Sequence, residues 1–137
     1  MKYHLVACVG QKRTKPALAA DLYQSDWFVK ARAYVEAVGG PWFILSAKYG
    51  LVRPDEIIAP YDQTLNTMHA PVRRLWGEKV VQQLATTLPN AAQLVLLAGV
   101  RYRQPIEEWA GDRAYAPMAG LGIGQQKAWL ISHTQGK

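Results

Sequence analysis

Three short runs of apolar residues recur along the chain and predict three buried strands. These strands are predicted at residues 3–9, 42–46 and 93–98. Unbroken apolar runs of this length are typical of parallel strands that are covered on both faces, whereas half-exposed strands alternate apolar with polar residues. A short fourth strand is predicted at 114–116, at the edge of the same sheet.

Between the predicted strands, apolar residues recur every three or four positions, as in amphipathic helices. One such pattern covers Trp27 to Val38 and ends at a glycine pair, and another lies between Pro71 and Pro89. Further helical segments are predicted at 17–24 and 105–109, and a last helix follows the glycines of 120–124. The first fifty residues therefore predict a strand, a helix and a parallel strand joined by a right-handed crossover.

These elements predict an α/β fold, a three-layer sandwich with a small, mostly parallel sheet of about four strands and helices on both faces. The 137 residues, half of them hydrophobic, fit a single domain spanning 1–137 with a substantial core. The segment 53–68 has no regular pattern and contains two prolines. No apolar run reaches the roughly 20 residues of a membrane helix. With one cysteine and no signal-peptide pattern, we expect a cytoplasmic location without membrane contact.

The distribution of positive charge favours an anionic partner. Sixteen lysines and arginines outnumber ten acidic residues, giving a net charge of +6. Basic residues follow each of the three predicted strands: Lys12, Arg13 and Lys15, then Lys48 and Arg53, then Arg101 and Arg103. Because parallel strands end at one edge of the sheet, we expect Lys12, Lys48 and Arg101 along a common rim, where they would bind the phosphates of a nucleic acid or nucleotide.

The residues that follow the second strand carry varied chemistry. Ser46 offers a hydroxyl, Lys48 an ammonium and Tyr49 a phenol, and Gly50 allows a tight turn. Ligands of open parallel sheets bind at this edge, so Ser46 is a candidate catalytic residue and Lys48 and Tyr49 are candidate ligand-binding residues. The alternative is an ordinary polar turn after a strand.

Asp62 is the candidate catalytic carboxylate. It follows Tyr61 in the irregular segment, and a carboxylate that faces cations in a cleft can orient water or stabilise a cationic transition state. The alternative is that Asp62 only closes an Asx-type turn. Tyr23, Tyr61 and Tyr102 are candidate ligand-binding residues that offer faces for base stacking, or else they are half-buried core tyrosines.

Other reactive groups give weaker signals. Cys8, near the end of the first strand, has no evident partner histidine and is interpreted as a buried thiol. No pair of histidines or cysteines has metal-ligand spacing, so neither a metal nor a cofactor is expected. The glycines of 120–124 resemble a phosphate-binding loop before a helix. Gln125 breaks the dinucleotide-binding fingerprint, and a tight turn that docks the last helix is the alternative.

Several blocks of residues recur in the order found in a known family. They are Cys8 with Lys12, 19–25, Phe28, 42–52, 60–65, Ala98-Gly99 with Tyr102, and 120–125. Together they resemble a family of small bacterial and phage domains of unknown function, and Leu-Ser-Ala-Lys-Tyr-Gly-Leu-Val is the most specific block. More distantly, the layout is similar to the uracil-DNA-glycosylase-like fold, including the domain of that type in archaeosine-synthesis enzymes. The glycosylase water-activating loop, of Gly-Gln-Asp-Pro-Tyr type, corresponds here to residues 10–14, which contain no acid.

We therefore expect a nucleobase- or nucleotide-acting domain that cleaves or exchanges an N-glycosidic bond in modified nucleic acid. Asp62 would act at the sugar, and Tyr49 or Tyr102 would stack on the base. Two alternatives remain open. One is a binding module for nucleic acid or nucleotides without chemistry, and the other is a phage accessory protein that acts through a protein partner.

Overall fold

The computed structural model describes residues 2–8 and 10–135. The described strands are β1 (Lys2–Ala7), β2 (Ala17–Leu18), β3 (Trp42–Ser46), β4 (Gly50–Val52), β5 (Ile57–Ile58), β6 (Gln93–Leu97) and β7 (Ala114–Tyr115). The α-helices are α1 (Ala19–Leu22), α2 (Asp26–Val38), α3 (Ala70–Thr87), α4 (Val100–Ala110) and α5 (Ile123–Gln135). Among the described helices, none combines the length and the apolarity that crossing a bilayer requires.

The main sheet has the strand order β4-β3-β1-β6-β7. Strands β3, β1, β6 and β7 are parallel, and Val6 in the centre pairs with Ile44 on one side and Leu97 on the other. The prediction that the first three strands are parallel neighbours is confirmed, as is the short fourth strand at the edge. Val9, at the end of the first predicted strand, lies outside the described residues.

Two helix pairs cover the sheet and complete the three-layer sandwich. Helix α2 packs against α5, and α3 packs against α4. The crossover through α2 moves the chain from β1 to β3, and the crossover through α3 moves it back to β6 in the opposite direction. Right-handed crossovers in opposite directions lie on opposite faces. The predicted fold class is therefore confirmed.

The reversal after β3 adds an edge strand that the sequence did not predict. Gly50 has φ +77°, a conformation that side chains rarely adopt, and it lies opposite Ser46 in the antiparallel pair of β3 and β4. The residues between them form a tight turn. The apolar pair Leu51-Val52 thus continues the sheet, directly before the predicted irregular segment of 53–68.

Two predicted helices have different bounds in the structure. Residues 17–24 do not form one helix, because Ala17 and Leu18 pair with β5 and the amide of Ala19 donates to the Glu56 carbonyl oxygen. This tertiary pairing prevails over local helix propensity. The second case is α4, which begins at Val100 rather than Pro105. Pro105 lies inside the helix, where it contacts Gly77 of α3.

Candidate functional site

The switch point of the sheet lies between β1 and β6. From β1 the chain proceeds first to β3 on one side and later to β6 on the other, and open α/β sheets bind ligands in the crevice where this order reverses. A cavity of about 350 Å³ opens there. We name it the switch-point cavity. Small residues at the strand ends, Ala7, Ala98 and Gly99, are part of its lining.

An indole forms one wall of the switch-point cavity. Trp27, in the first turn of α2, donates a hydrogen bond from Nε1 to Oε1 of Gln126 on α5 at 2.8 Å. Gln126 in turn donates from Nε2 to the Leu121 carbonyl oxygen at 2.8 Å. The exposed apolar side chains of Val100 and Ile123 also line this cavity. These hydrogen bonds fix the indole as a flat apolar wall.

The mouth of the switch-point cavity is electropositive. Helix α4 begins there, and its N-cap, Gly99, offers no side chain to accept from the first-turn amides. Free amides and the helix dipole attract anions to such a position. Arg101 lines the same mouth, and its Nη1 donates to the Asn66 carbonyl oxygen at 3.0 Å. The cavity thus combines an apolar interior with a positive entrance.

The other half of the carboxyl edge, between β1 and β3, is filled by side chains. The phenols of Tyr23 and Tyr61 share a hydrogen bond of 2.6 Å. Ser46, fully buried, interacts with both phenols, and its Oγ accepts from the amides of Lys48 and Tyr49 at 3.2 and 3.0 Å. Burial raises the pKa of Tyr61 to about 12 and that of Tyr23 further. The catalytic role of Ser46 stays a prediction, and its observed contacts stabilise the turn and the tyrosine pair.

Cys8 lies beneath this tyrosine pair. The thiol is buried, as expected, and burial raises its pKa well above the ordinary value, while nearby Lys12 partly opposes that shift. A thiol that keeps its proton is a poor nucleophile. Among residues 2–8 and 10–135, no group of three or more histidine, cysteine, aspartate or glutamate side chains is arranged to hold a metal ion.

Lys12 and Asp62 line a shallow groove of about 510 Å³ between residues 10–14 and 60–62. The Lys12 ammonium lies 4.5 Å from the centre of the Tyr61 ring. Burial lowers the pKa of Lys12, and Cys8 and Asp62 partly offset this. Asp62 is exposed and has no hydrogen-bond or ion-pair partner in the described part of the chain. The hydrogen bond expected of an Asx turn is thus not observed, and the catalytic role stays a prediction.

Residues 60–66, which run into a 3-10 helix at Leu65–Thr67, connect the two halves of the carboxyl edge, and we refer to them as the crossing segment. Tyr61 and Leu65 are buried and anchor it. The phenol of Tyr102 accepts from the Leu65 amide at 3.3 Å and lies 3.4 Å from the Thr64 hydroxyl. One end of the crossing segment lines the Lys12 groove, and Asn66 at the other end lines the switch-point cavity.

The three cations predicted to share a rim are divided between these regions. Lys48 is exposed, with Nζ 5.3 Å from the centre of the Tyr49 ring, and that ring packs edge-on against Tyr61 at 5.7 Å. Lys12 and Lys48 therefore both lie near Tyr61, since Lys12 contacts its ring directly and Lys48 contacts the Tyr49 ring that packs against it. Arg101 lines the switch-point cavity instead. Whether any of them binds phosphate stays a prediction.

Sequence reasoning missed the main walls of the switch-point cavity. Trp27 was assigned to the core face of its helix, and Ala98 and Gly99 only to the end of a strand. The small residues after β6 were the available signal, because small side chains let a ligand approach the backbone. In the glycine-rich loop before α5, the Gln125 side chain accepts from the Gly122 amide at 3.0 Å, as in a tight turn at a helix start.

Comparison with known proteins identifies the family of the chain. A family model described as "Family of unknown function (DUF6884)" matches residues 4–132, so the chain belongs to that family. An uncharacterized protein of Bacillus subtilis strain 168, YfjM, is 30% identical over 107 residues, which cover 73% of this chain and 67% of that protein. A UPF0246 protein of Salinispora tropica is 31% identical over 119 residues, which cover 77% of this chain but only 43% of that protein.

Proposed function

We propose that this member of the DUF6884 family is a nucleotide-binding domain, with the base in the switch-point cavity and a phosphate at the start of α4. The observation that carries this proposal is the pairing of an apolar cavity, walled by a fixed indole, with an electropositive mouth. Nucleotides have the same division, because a flat base of low polarity is joined to a charged phosphate. This proposal corresponds to one of the alternatives left open by the sequence, a nucleotide-binding module without chemistry.

The interior of the switch-point cavity suits a base. Its volume of about 350 Å³ lies in the range of small-molecule sites, which are mostly apolar with a few polar groups. Trp27 provides a stacking surface, and a stacked base contributes about 1–3 kcal/mol to single-strand binding. Because the hydrogen bond to Gln126 already orients the indole, little side-chain entropy is lost when a ligand binds.

The mouth suits a phosphate. The first-turn amides of α4 and the Arg101 guanidinium are donors, and an arginine can bind two phosphate oxygens at once. The hydrogen bond of Arg101 to the Asn66 carbonyl uses one guanidinium nitrogen and leaves other donors available. A cytoplasmic location, expected from the single cysteine, is compatible with such a ligand and stays a prediction.

Equilibrium titration with nucleoside monophosphates tests the proposal. Trp27→Leu removes the stacking surface and should weaken binding of nucleotides and free nucleosides by about tenfold or more. Arg101→Ala should weaken nucleotides and leave nucleosides unchanged, because it removes a phosphate contact only. Arg53→Ala is the matched control, since Arg53 is an exposed arginine that lines neither the cavity nor its mouth. Unchanged nucleotide affinity in both Trp27→Leu and Arg101→Ala would refute the proposal.

Cleavage or exchange of an N-glycosidic bond is the second candidate. It rests on Asp62, an exposed carboxylate without a partner among residues 2–8 and 10–135 that faces Lys12. The resemblance to the glycosylase-like fold noted in the sequence is the reason for naming this reaction. The sugar would have to reach across the crossing segment from the cavity. The carboxylate would then stabilise positive charge on the sugar.

Release of free base from modified DNA or RNA separates this enzyme from a binding module. Asp62→Asn should preserve affinity and lower the rate by about a hundredfold or more, since a carboxylate that acts on the transition state adds little to ground-state binding. Asp55→Asn, also exposed and in the same irregular stretch, is the control. Unchanged turnover in Asp62→Asn would remove Asp62 from the site. Binding that is insensitive to salt would instead favour the protein-partner alternative.

A further inference from the structure

A second groove continues directly from the switch-point cavity. It lies between α3 and α4, has a volume of about 720 Å³, and shares Val100 and Arg101 with the cavity. Gly77 of α3 keeps the two helices close together, because a Cβ atom there would lie only 2.7 Å from Cβ of Pro105. A ligand that emerges past Arg101 therefore enters this groove.

The start of the groove carries unbalanced positive charge. Both helices begin at the carboxyl edge of the sheet, and neither has an acidic residue in its first turn. Instead, the groove is lined by Arg73 and Arg74 near the start of α3 and by Arg101 near the start of α4. Cations at helix N-termini oppose the helix dipole, so this arrangement lowers stability unless an anion compensates it. A cation that breaks this rule without an evident structural gain is expected at a functional site, and among these arginines Arg74 is that case.

Arg74 is the arginine that is available to a ligand. Its guanidinium is exposed, lines the groove and has no hydrogen-bond or ion-pair partner in the described ranges 2–8 and 10–135. Arg73, by contrast, donates to the Met68 carbonyl oxygen at 2.6 Å, and Arg103 is paired with Glu107 at 3.3 Å. An exposed guanidinium that no protein group holds can bind two oxygens of a phosphate at once.

The positive part of the groove is short. Glu78 and Glu108 also line it, and Glu78 is four residues beyond Arg74 on α3. Four residues correspond to about 6 Å along a helix. Phosphates would be repelled from the acidic end, so the groove accommodates only a short stretch of a polyanion next to the cavity.

We infer that the nucleotide in the cavity belongs to a single-stranded nucleic acid, with one or two neighbouring phosphodiesters between the starts of α3 and α4. The inference rests on the proposed function, since the groove is an extension of the proposed nucleotide site. It specifies the ligand as a polymer rather than a mononucleotide. The cavity holds one base out of the stack, and Arg74 and Arg101 contact the backbone beside it.

The test compares ligands of increasing length. Affinities of mono-, di-, tri- and hexanucleotides, as DNA and as RNA, are measured at several salt concentrations for the wild-type protein, Arg74→Gln and Lys79→Gln. Lys79 is the matched control, because it is an exposed cation on the same helix that does not line the groove. The DNA and RNA arms distinguish the two sugars.

We expect affinity to rise from mononucleotide to trinucleotide and to change little thereafter. Arg74→Gln should remove much of this gain and lower the slope of log K against log salt by about 0.7, the value for one phosphate contact on a single strand. The same variant should leave mononucleotide affinity unchanged, and Lys79→Gln should behave as the wild type.

Three results would overturn the inference. Equal affinity for mononucleotides and oligonucleotides would leave the proposed function intact and refute the inference that the ligand is a polymer. An oligonucleotide gain that survives Arg74→Gln would refute the groove as the path. If mononucleotides do not bind and oligonucleotide affinity is the same in Trp27→Leu as in the wild type, the proposed function itself is refuted, and this inference with it.

Discussion

The two halves of the carboxyl edge, on either side of β1, are built in opposite ways. On the β3 side, Ser46 and the phenols of Tyr23 and Tyr61 fill the space above the strand ends, and the two phenols share a hydrogen bond. On the β6 side, Ala98 and Gly99 leave the space open as the switch-point cavity. The β3 half, which we call closed, is rich in reactive groups, and its buried side chains leave a shallow groove, the Lys12 groove, at the surface. The β6 half, which we call open, is poor in reactive groups but has an accessible cavity.

This difference shows that reactive side chains and ligand space need not coincide. Buried hydroxyls are generally hydrogen-bonded, because an unsatisfied polar group in the core is costly. The tyrosine pair follows that rule and stabilises the fold. In the open half, the groups that we propose for recognition are backbone amides, one indole and one guanidinium, which surround space that small residues leave free.

Filling the open half should have the largest effect on function. Gly99 has φ −67° and ψ 165°, which any residue can adopt, and a Cβ atom there would meet nothing within 4 Å. Gly99→Leu should therefore occupy the cavity and abolish detectable nucleotide binding in a titration, with a stability loss of about 1 kcal/mol or less. Gly124→Leu is the control, because Gly124 also has open space at its Cβ position but does not line the cavity. Unaltered binding by Gly99→Leu would mean that the ligand binds elsewhere.

Removing a hydroxyl from the closed half should change stability but not binding. Tyr61→Phe takes away the hydrogen-bond partner of the buried Tyr23 phenol, and we expect a loss of about 1 kcal/mol in the free energy of unfolding, measured by urea denaturation. Nucleotide affinity should stay the same. A large loss of affinity with normal stability would show that the tyrosine pair is part of the binding site.

The same variant has a pH signature. The folded-state pKa of Tyr61 is about 12 against an ordinary value of 10.0, so the unfolded chain loses this proton first. The stability that Tyr61 contributes is complete below pH 10 and is lost as pH rises from 10 toward 12. Tyr61→Phe should reduce the alkaline slope of the unfolding free energy, and Tyr115→Phe, at an exposed position, is the comparison. Identical slopes in the wild type and Tyr61→Phe would contradict the buried phenol.

Lys48→Ala should have the smallest effect. Lys48 is exposed on the closed half, its ammonium lies 5.3 Å from the centre of the Tyr49 ring, and it does not line the switch-point cavity. We expect mononucleotide affinity to change less than twofold, which corresponds to under about 0.4 kcal/mol. A tenfold loss of affinity would support the common rim of cations expected from the sequence and would indicate that the ligand binds nearer to β3.

The fold could be predicted further than the site. Unbroken apolar runs identified β1, β3 and β6, and helical spacing identified α2 and α3, because these patterns come directly from burial. Residues 17–18 could not be predicted as a strand, because that strand exists only through pairing with Ile57 and Ile58. The switch-point cavity was missed for a similar reason. Small residues carry no functional group that identifies a site in the sequence. Only the strand order shows that Ala7 and Ala98 lie side by side at the strand ends.

The crystal structure of the protein with a nucleoside monophosphate tests the central claim most directly. The account predicts the base against the Trp27 indole in the switch-point cavity, and the phosphate within hydrogen-bond distance of the Val100 and Arg101 amides at the start of α4. A nucleotide bound instead in the groove of Lys12 and Asp62, with the switch-point cavity empty, would contradict it.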